Sequence, residues 1–282
     1  MNLVDSHQHF WSLQRGDYAW LTRDLGVLHR DHLPTDLEPE LRRHGVATTV
    51  LVQAAASEAE TRYLFDLARR NAFIAGVVGW CDLAAADAPQ RIAALVREGD
   101  GKLKGLRPML QDLADPGWVA DRAVDAAFDA IVEHGLTFDA LVRPAHYDAL
   151  LARMRHHPQL RVVIDHCGKP DIAGNGYAAW ADGIARLAGE TQAVCKLSGL
   201  LTEARQGAGV DDIDPYARHV FERFGGHRVM WGSDWPVLNL TADYAIWLAM
   251  ARDFVRRHAA PHEEAVFGGT AKAFYGLQEP HA

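Results

Sequence analysis

The chain has 282 residues, 49% of them hydrophobic, and a formal charge of −8. That length suits one large domain with a sizeable core, and the acidic balance argues against nucleic acid or an anionic membrane as a partner. No apolar run approaches the roughly 20 residues of a membrane span, no basic-then-apolar leader opens the chain, and three cysteines make no disulfide framework, so the expected protein is cytoplasmic and acts on a small molecule, with its oligomeric state left open.

The first predicted strand is Leu3–His9, "LVDSHQH". Strict alternation puts Leu3, Asp5, His7 and His9 on one face, so that two imidazoles converge, a geometry suited to a metal ion or a polarised carbonyl. A capping box at Thr35–Glu38 then predicts a helix. Strand Thr48–Ala54 follows, and a second capping box at Ser57–Glu60 opens a helix with an apolar stripe at Tyr63, Leu64, Leu67 and Ala68. Further strands are read at Ile74–Trp80, Leu103–Met109, Leu136–Val142, Arg161–Cys167, Ala193–Gly199 and Arg228–Asp234. Asp171–Gly176 and Gln206–Asp214 read as loops, Asp214-Pro215 as a helix start and Gly225 as its close.

Eight strands alternating with helices imply an α/β fold, a (β/α)₈ barrel forming a single domain over residues 1–282. An open doubly wound sheet is the runner-up. The chain lacks a G-x-G-x-x-G turn and a G-x-x-x-x-G-K-[ST] loop, which removes the dinucleotide and nucleotide versions of that alternative.

Barrel enzymes carry their chemistry at the C-terminal strand ends. The residues falling there are His7 and His9, Gln53, Trp80, Arg107, Arg143, Asp165 with His166 and Lys169, Lys196 with Ser198, and Asp234 with Trp235. Packing alone does not explain so many polar groups at one end of eight apolar runs. Structural roles remain open for several: Gln53 as a bridge between strands, Arg107 and Lys196 as ion-pair partners of Asp165, and Asp5 as a supporting group. Cys167 and Cys195 read as small buried fillers, and His156, His157, His258, His262 and His281 as solvated histidines.

The motifs "DSHQHFW" (5–11), "DHCGKP" (165–170) and "GSDWP" (232–236), in this order and at these strand ends, resemble the amidohydrolase superfamily. Within it they resemble the lactonase-like branch of sugar-lactone and pyrone-dicarboxylate hydrolases; Phe267-Gly268-Gly269 echoes its closing sequence. The resemblance implies a distorted barrel that hydrolyses a lactone, most readily a sugar lactone to its aldonic acid. It matches His7 and His9 to the family's strand-one pair, His166 to its strand-six histidine, Asp234 to its general base, and Lys169 to the stretch typical of the branch. Two-metal members carry a lysine or glutamate on strand four and a histidine on strand five. Arg107 stands at the first position and no histidine at the second, so the expectation is either no required metal or one Zn²⁺ on His7, His9, His166 and Asp234. Gln53, Trp80, Arg107, Lys169 and Trp235 are the expected substrate contacts, with Trp11 a weaker candidate. Only Arg107 and Arg143 are placed to bind carboxylates, which favours a neutral polyol over a dicarboxylate. The alternatives are a pyrone or aromatic lactone hydrolase, a decarboxylase on the same scaffold, and a non-catalytic binding protein.

Overall fold

The computed structural model describes residues 2–278. Strands β1 (Leu3–Gln8), β2 (Val46–Val52), β3 (Ile74–Gly79), β4 (Leu103–Leu106), β5 (Thr137–Ala140), β6 (Arg161–Ile164), β7 (Val194–Leu197) and β8 (Val229–Trp231) form one sheet in sequential order, all neighbours parallel. Around it run α1 (Pro34–His44), α2 (Glu58–Arg70), α3 (Ala88–Gly99), α4 (Asp125–Glu133), α5 (Tyr147–His156), α6 (Tyr177–Glu190), α7 (Val210–Phe224), α8 (Tyr244–His258) and the short α9 (Thr270–Tyr275). Among the described residues no helix is long and apolar enough to cross a membrane.

The barrel closes without a regular β8–β1 ladder. Asp234 N–H donates to the His7 carbonyl at 2.8 Å, His9 N–H to the Trp235 carbonyl at 2.7 Å, and Ser6 Oγ to the Trp231 carbonyl at 2.7 Å. Gly232 makes this approach possible, because a Cβ there would lie 2.8 Å from the His7 Cβ. The seam therefore joins the two stretches that carry His7, His9 and Asp234.

Strict alternation fails on β1. Leu3 belongs to the outer apolar layer with Leu37 and Leu41, and Asp5 accepts the Tyr244 hydroxyl of α8 at 3.0 Å, so both look outward. His7 and His9 face each other inside the barrel. The switch comes from a bulge: Asp5 pairs with Thr49 and Gln8 with Leu51, three steps on β1 against two on β2.

Two helix starts also move. Leu33, not Thr35, precedes α1, with Asp36 Oδ2 accepting the Leu33 N–H at 2.8 Å. Helix α7 begins at Val210 rather than after Asp214: Asp212 accepts the Gly209 N–H at 2.8 Å, and Pro215 falls in the second turn. Ser57 does cap α2, accepting the Glu60 N–H at 3.1 Å. His157 is buried between Arg153 and Asp129 rather than solvated, and His281 lies outside the described residues.

Inside, the barrel is layered. Its lower part is apolar, with Val4, Val50, Val52, Val78, Val163 and Met230 packed on Ala271 and Tyr275 of α9. A charged layer lies above them, and the candidate site above that.

Candidate active site

The ladders end one to three residues before His9, His166 and Asp234, and the backbone turns after β6 and β8. After β6, His166, Cys167 and Lys169 have φ of 52°, 53° and 51°, and after β8 Asp234 has φ of 58°. Left-handed backbone costs a non-glycine residue about 1–2 kcal/mol, so strain collects at the two positions whose side chains meet. Gly199 leaves room for this turn; a Cβ on it would sit 2.7 Å from the His166 Cβ.

Three buried imidazoles converge on one buried carboxylate oxygen. Asp234 Oδ1 lies 3.3 Å from His9 Nε2, 3.7 Å from His7 Nε2 and 3.9 Å from His166 Nε2. His7 Nε2 and His9 Nε2 are 3.1 Å apart. His9 Nδ1 is 2.8 Å from the Val52 carbonyl, which can only accept, so His9 Nδ1 carries the proton. His166 Nδ1 meets Ser198 Oγ at 2.9 Å. Burial, and next the neighbouring Lys196, hold His7 well below the usual imidazole range, and burial brings His166 down to about 4. Both are neutral at neutral pH. For Asp234 burial acts to raise the pKa, but the facing imidazoles of His166, His9 and His7 outweigh it and hold the carboxyl below the usual range. The arrangement is an ionised carboxylate facing three buried imidazoles, able to take a proton from water.

Beneath it lies the charged layer. Lys196 Nζ is 2.6 Å from Asp139 Oδ2, 2.9 Å from Asp165 Oδ1 and 3.0 Å from His7 Nδ1. Asp139 Oδ2 also accepts the Tyr275 hydroxyl at 2.6 Å, and Arg107 reaches Asp165 Oδ2 at 3.4 Å. Lys196, Asp139, Asp165 and Tyr275 are all buried. Two cations thus face two carboxylates. Asp5 lies outside this layer, accepting the backbone N–H groups of His7 and Ser233 and so bracing the seam.

A cavity of about 450 Å³ opens above His9, His166 and Asp234. Its lining mixes apolar residues, among them Trp11, Trp20, Leu28 and Leu240, with polar ones, among them Arg107, Arg143, Lys169 and Glu203. Of the expected substrate contacts, Arg107 and Lys169 line this cavity. Gln53 is buried beside it, its amide donating to the Arg107 carbonyl at 2.7 Å, so it bridges strands. Trp235 packs against Phe10 and His32, and Trp80 is fastened through its backbone to the Thr61 hydroxyl of α2; neither is among the lining residues. Glu203 was missed. It lies in the loop after β7, where no motif marks it, and it pairs with Lys169 at 2.5 Å. Asp139 was also missed, although an acid inside the apolar run "LTFDALV" was a readable signal.

The amidohydrolase family model matches residues 4–277. The chain belongs to the amidohydrolase family. It is 47% identical over 281 residues to an L-fucono-1,5-lactonase of Burkholderia ambifaria, covering 98% of this chain and 96% of that protein. A second L-fucono-1,5-lactonase, of Burkholderia multivorans, is 37% identical with 98% and 97% covered. Among solved structures, a zinc-bound amidohydrolase of Burkholderia multivorans superposes with a TM-score of 0.91 at 34% identity, covering 99% of this chain and all of that one. A protein of Acinetobacter baumannii described as a probable 2-pyrone-4,6-dicarboxylic acid hydrolase, 17% identical with a TM-score of 0.82 and covering 98% and 100%, shares the fold alone.

In this amidohydrolase His7, His9 and Asp234 could hold a metal ion, their donor atoms standing 3.1–3.7 Å apart. A tetrahedral zinc with bonds of roughly 2.0–2.1 Å spaces its ligands by about 3.3 Å. His9 satisfies the further requirement of a ligating imidazole, since its other nitrogen donates to a carbonyl. His7 meets it less well: its other nitrogen lies 3.0 Å from the ammonium of Lys196, nearer than the 3.5 Å to Asp165 Oδ1. The spacing suits a metal; the surroundings of His7 suit one less.

Proposed function

We propose that this amidohydrolase opens a sugar 1,5-lactone of the L-fucono type to its aldonic acid without a required metal ion. The observation that carries the reading is Asp234 Oδ1, faced at 3.3–3.9 Å by three buried imidazoles at the foot of a cavity lined by both polar and apolar residues. The 47% relative along nearly the whole chain supports it.

Water attacks the lactone carbonyl carbon as Asp234 accepts its proton. The carbonyl oxygen gains charge and takes hydrogen bonds from the cavity-lining donors: Arg107, and His166 through Nε2–H in the tautomer whose Nδ1 accepts from the Ser198 hydroxyl. The tetrahedral centre collapses, the ring C–O bond breaks, and the ring oxygen takes the proton back from Asp234. His9 also lines the cavity, 3.3 Å from the carboxylate. Lys169 with Glu203 and Arg143 supply donors and acceptors for hydroxyl groups, while Trp20, Leu28 and Leu240 cover the ring's less polar edge. A lactone is already electrophilic, so the catalytic demand on the site is modest.

Purified protein with a panel of aldono-1,5- and 1,4-lactones in weak buffer, read with a pH indicator and by product mass, tests this. The expected result is one proton per ring opened, no CO₂, and the highest kcat/KM on the L-fucono-1,5-lactone. Turnover of a pyrone dicarboxylate above every sugar lactone, or release of CO₂ from an aromatic acid, contradicts it.

A further inference from the structure

We propose that Lys196 is a positioning residue that fixes the proton of His7 on Nε2 and thereby closes the His7 edge of the site to divalent cations. The inference adds to the metal-independent lactonase reading and uses the same site.

Lys196 has three N–H donors and no acceptor. Three acceptor positions surround it: Asp139 Oδ2 at 2.6 Å, Asp165 Oδ1 at 2.9 Å and His7 Nδ1 at 3.0 Å. Its hydrogen bonds go to Asp139 Oδ2 and to the His7 ring nitrogen, with Asp165 Oδ1 an ion-pair neighbour, so the ring nitrogen facing the ammonium is a lone pair. The His7 proton is left on Nε2. On that side His9 Nε2 is bare, because His9 Nδ1 carries its proton toward Val52 O, and the two Nε2 atoms are 3.1 Å apart. A proton on His7 Nε2 fills this gap. The other tautomer would place an N–H against an ammonium on one side and two lone pairs against each other on the opposite side. The Nε2–H arrangement satisfies the Lys196–His7 and His7–His9 contacts, while Asp165 Oδ1 stands farther from His7 Nδ1, at 3.5 Å.

Two consequences follow. The His7 N–H points at His9 Nε2, with Asp234 Oδ1 3.7 Å away, so it presents its positive end to the carboxylate. A divalent cation at His7 Nε2 must displace that proton and moreover face an imidazole whose far nitrogen is braced by a cation, whereas a good ligand is braced by a carboxylate or carbonyl. Lys196 is fully buried and not among the cavity-lining residues, so it acts through His7 and not on substrate.

The test needs no substrate and so stands or falls apart from the lactonase reading. Long-range ¹H–¹⁵N spectra of wild-type protein labelled at histidine, assigned with His7→Gln, should show His7 protonated at Nε2. A His7 protonated at Nδ1 overturns the proposal without any variant having to fold. Zinc affinity is then measured by competition with a chelating dye for wild type, Lys196→Met and the charge-balanced pair Lys196→Met with Asp139→Asn. The expected result is zinc binding tightened about 10–100-fold in the variants, the range seen when a ligand's bracing partner is altered, and His7 moved to the Nδ1–H form beside Asp165. Unchanged zinc affinity in the folded charge-balanced variant overturns it.

Discussion

The floor of the barrel mouth and its rim both carry paired charges, but the pairs differ in kind. On the floor, Lys196, Asp139 and Asp165 are fully buried and locked by contacts of 2.6–2.9 Å. On the rim, Lys169 and Glu203 meet at 2.5 Å while their side chains remain 14% and 19% exposed, beside Trp20 and Leu240 at 36% and 38%. A buried ion that loses its partner keeps its desolvation cost, so the floor cannot exchange partners with a ligand. The rim pair can trade one contact for a sugar hydroxyl at little cost. Chemistry that needs fixed geometry therefore sits on the floor, and selection among substrates on the rim.

Breaking the floor should have the largest effect on folding. Asp139→Ala removes one of two carboxylates facing Lys196 and Arg107 and leaves a net buried positive charge. We expect a loss of about 3–5 kcal/mol in urea denaturation; a loss below 1 kcal/mol would mean the floor is not the rigid element. Arg107 belongs to both regions, since it pairs with Asp165 and lines the cavity. Arg107→Met should raise KM on the best lactone about tenfold while kcat changes less, the mark of binding lost equally in ground and transition state. An insoluble product would assign Arg107 to the floor alone.

Glu60 supplies a pH test just under the rim. Its buried carboxyl accepts the N–H groups of Ala54 and Ala55 at 2.8–3.1 Å, and burial, against those hydrogen bonds, pushes its pKa up to about 7. The folded pKa lies above the ordinary 4.5, so the native state favours the protonated form. That contribution is whole below pH 4.5 and disappears as pH rises through about 7. Glu60→Gln should therefore shrink the difference between the urea midpoints at pH 5 and pH 8; an unchanged difference would show that Glu60 does not titrate there. The smallest effect is expected at the rim. Glu203→Gln should alter KM a few-fold and differently among epimeric lactones, with kcat nearly constant. Equal changes for all epimers would remove Glu203 from substrate selection.

How much of this was legible in the sequence follows the same division. The barrel could be read because strand and helix patterns repeat eight times and each repeat is locally encoded. His7, His9, His166 and Asp234 could be read because they stand in short motifs at strand ends. The face of Asp5 could not, because a bulge that adds one residue between Asp5 and Gln8 leaves no mark in the hydrophobic pattern. Lys196 and Asp165 were visible as possible partners, but the pairing of Asp139 with Tyr275 joins residues 136 positions apart and depends on the closed barrel. Glu203 was invisible for another reason: loop acids are common, and only the folded rim brings this one to Lys169.

The central claim is that the Asp234 carboxylate activates the water that opens the lactone. The most direct measurement is kcat on L-fucono-1,5-lactone for wild type and Asp234→Asn, with the fold of each checked by circular dichroism. The change is nearly isosteric, so the fold and KM should persist while kcat falls by roughly two to four orders of magnitude. A folded Asp234→Asn protein that turns over the lactone within a few-fold of wild type would contradict the claim.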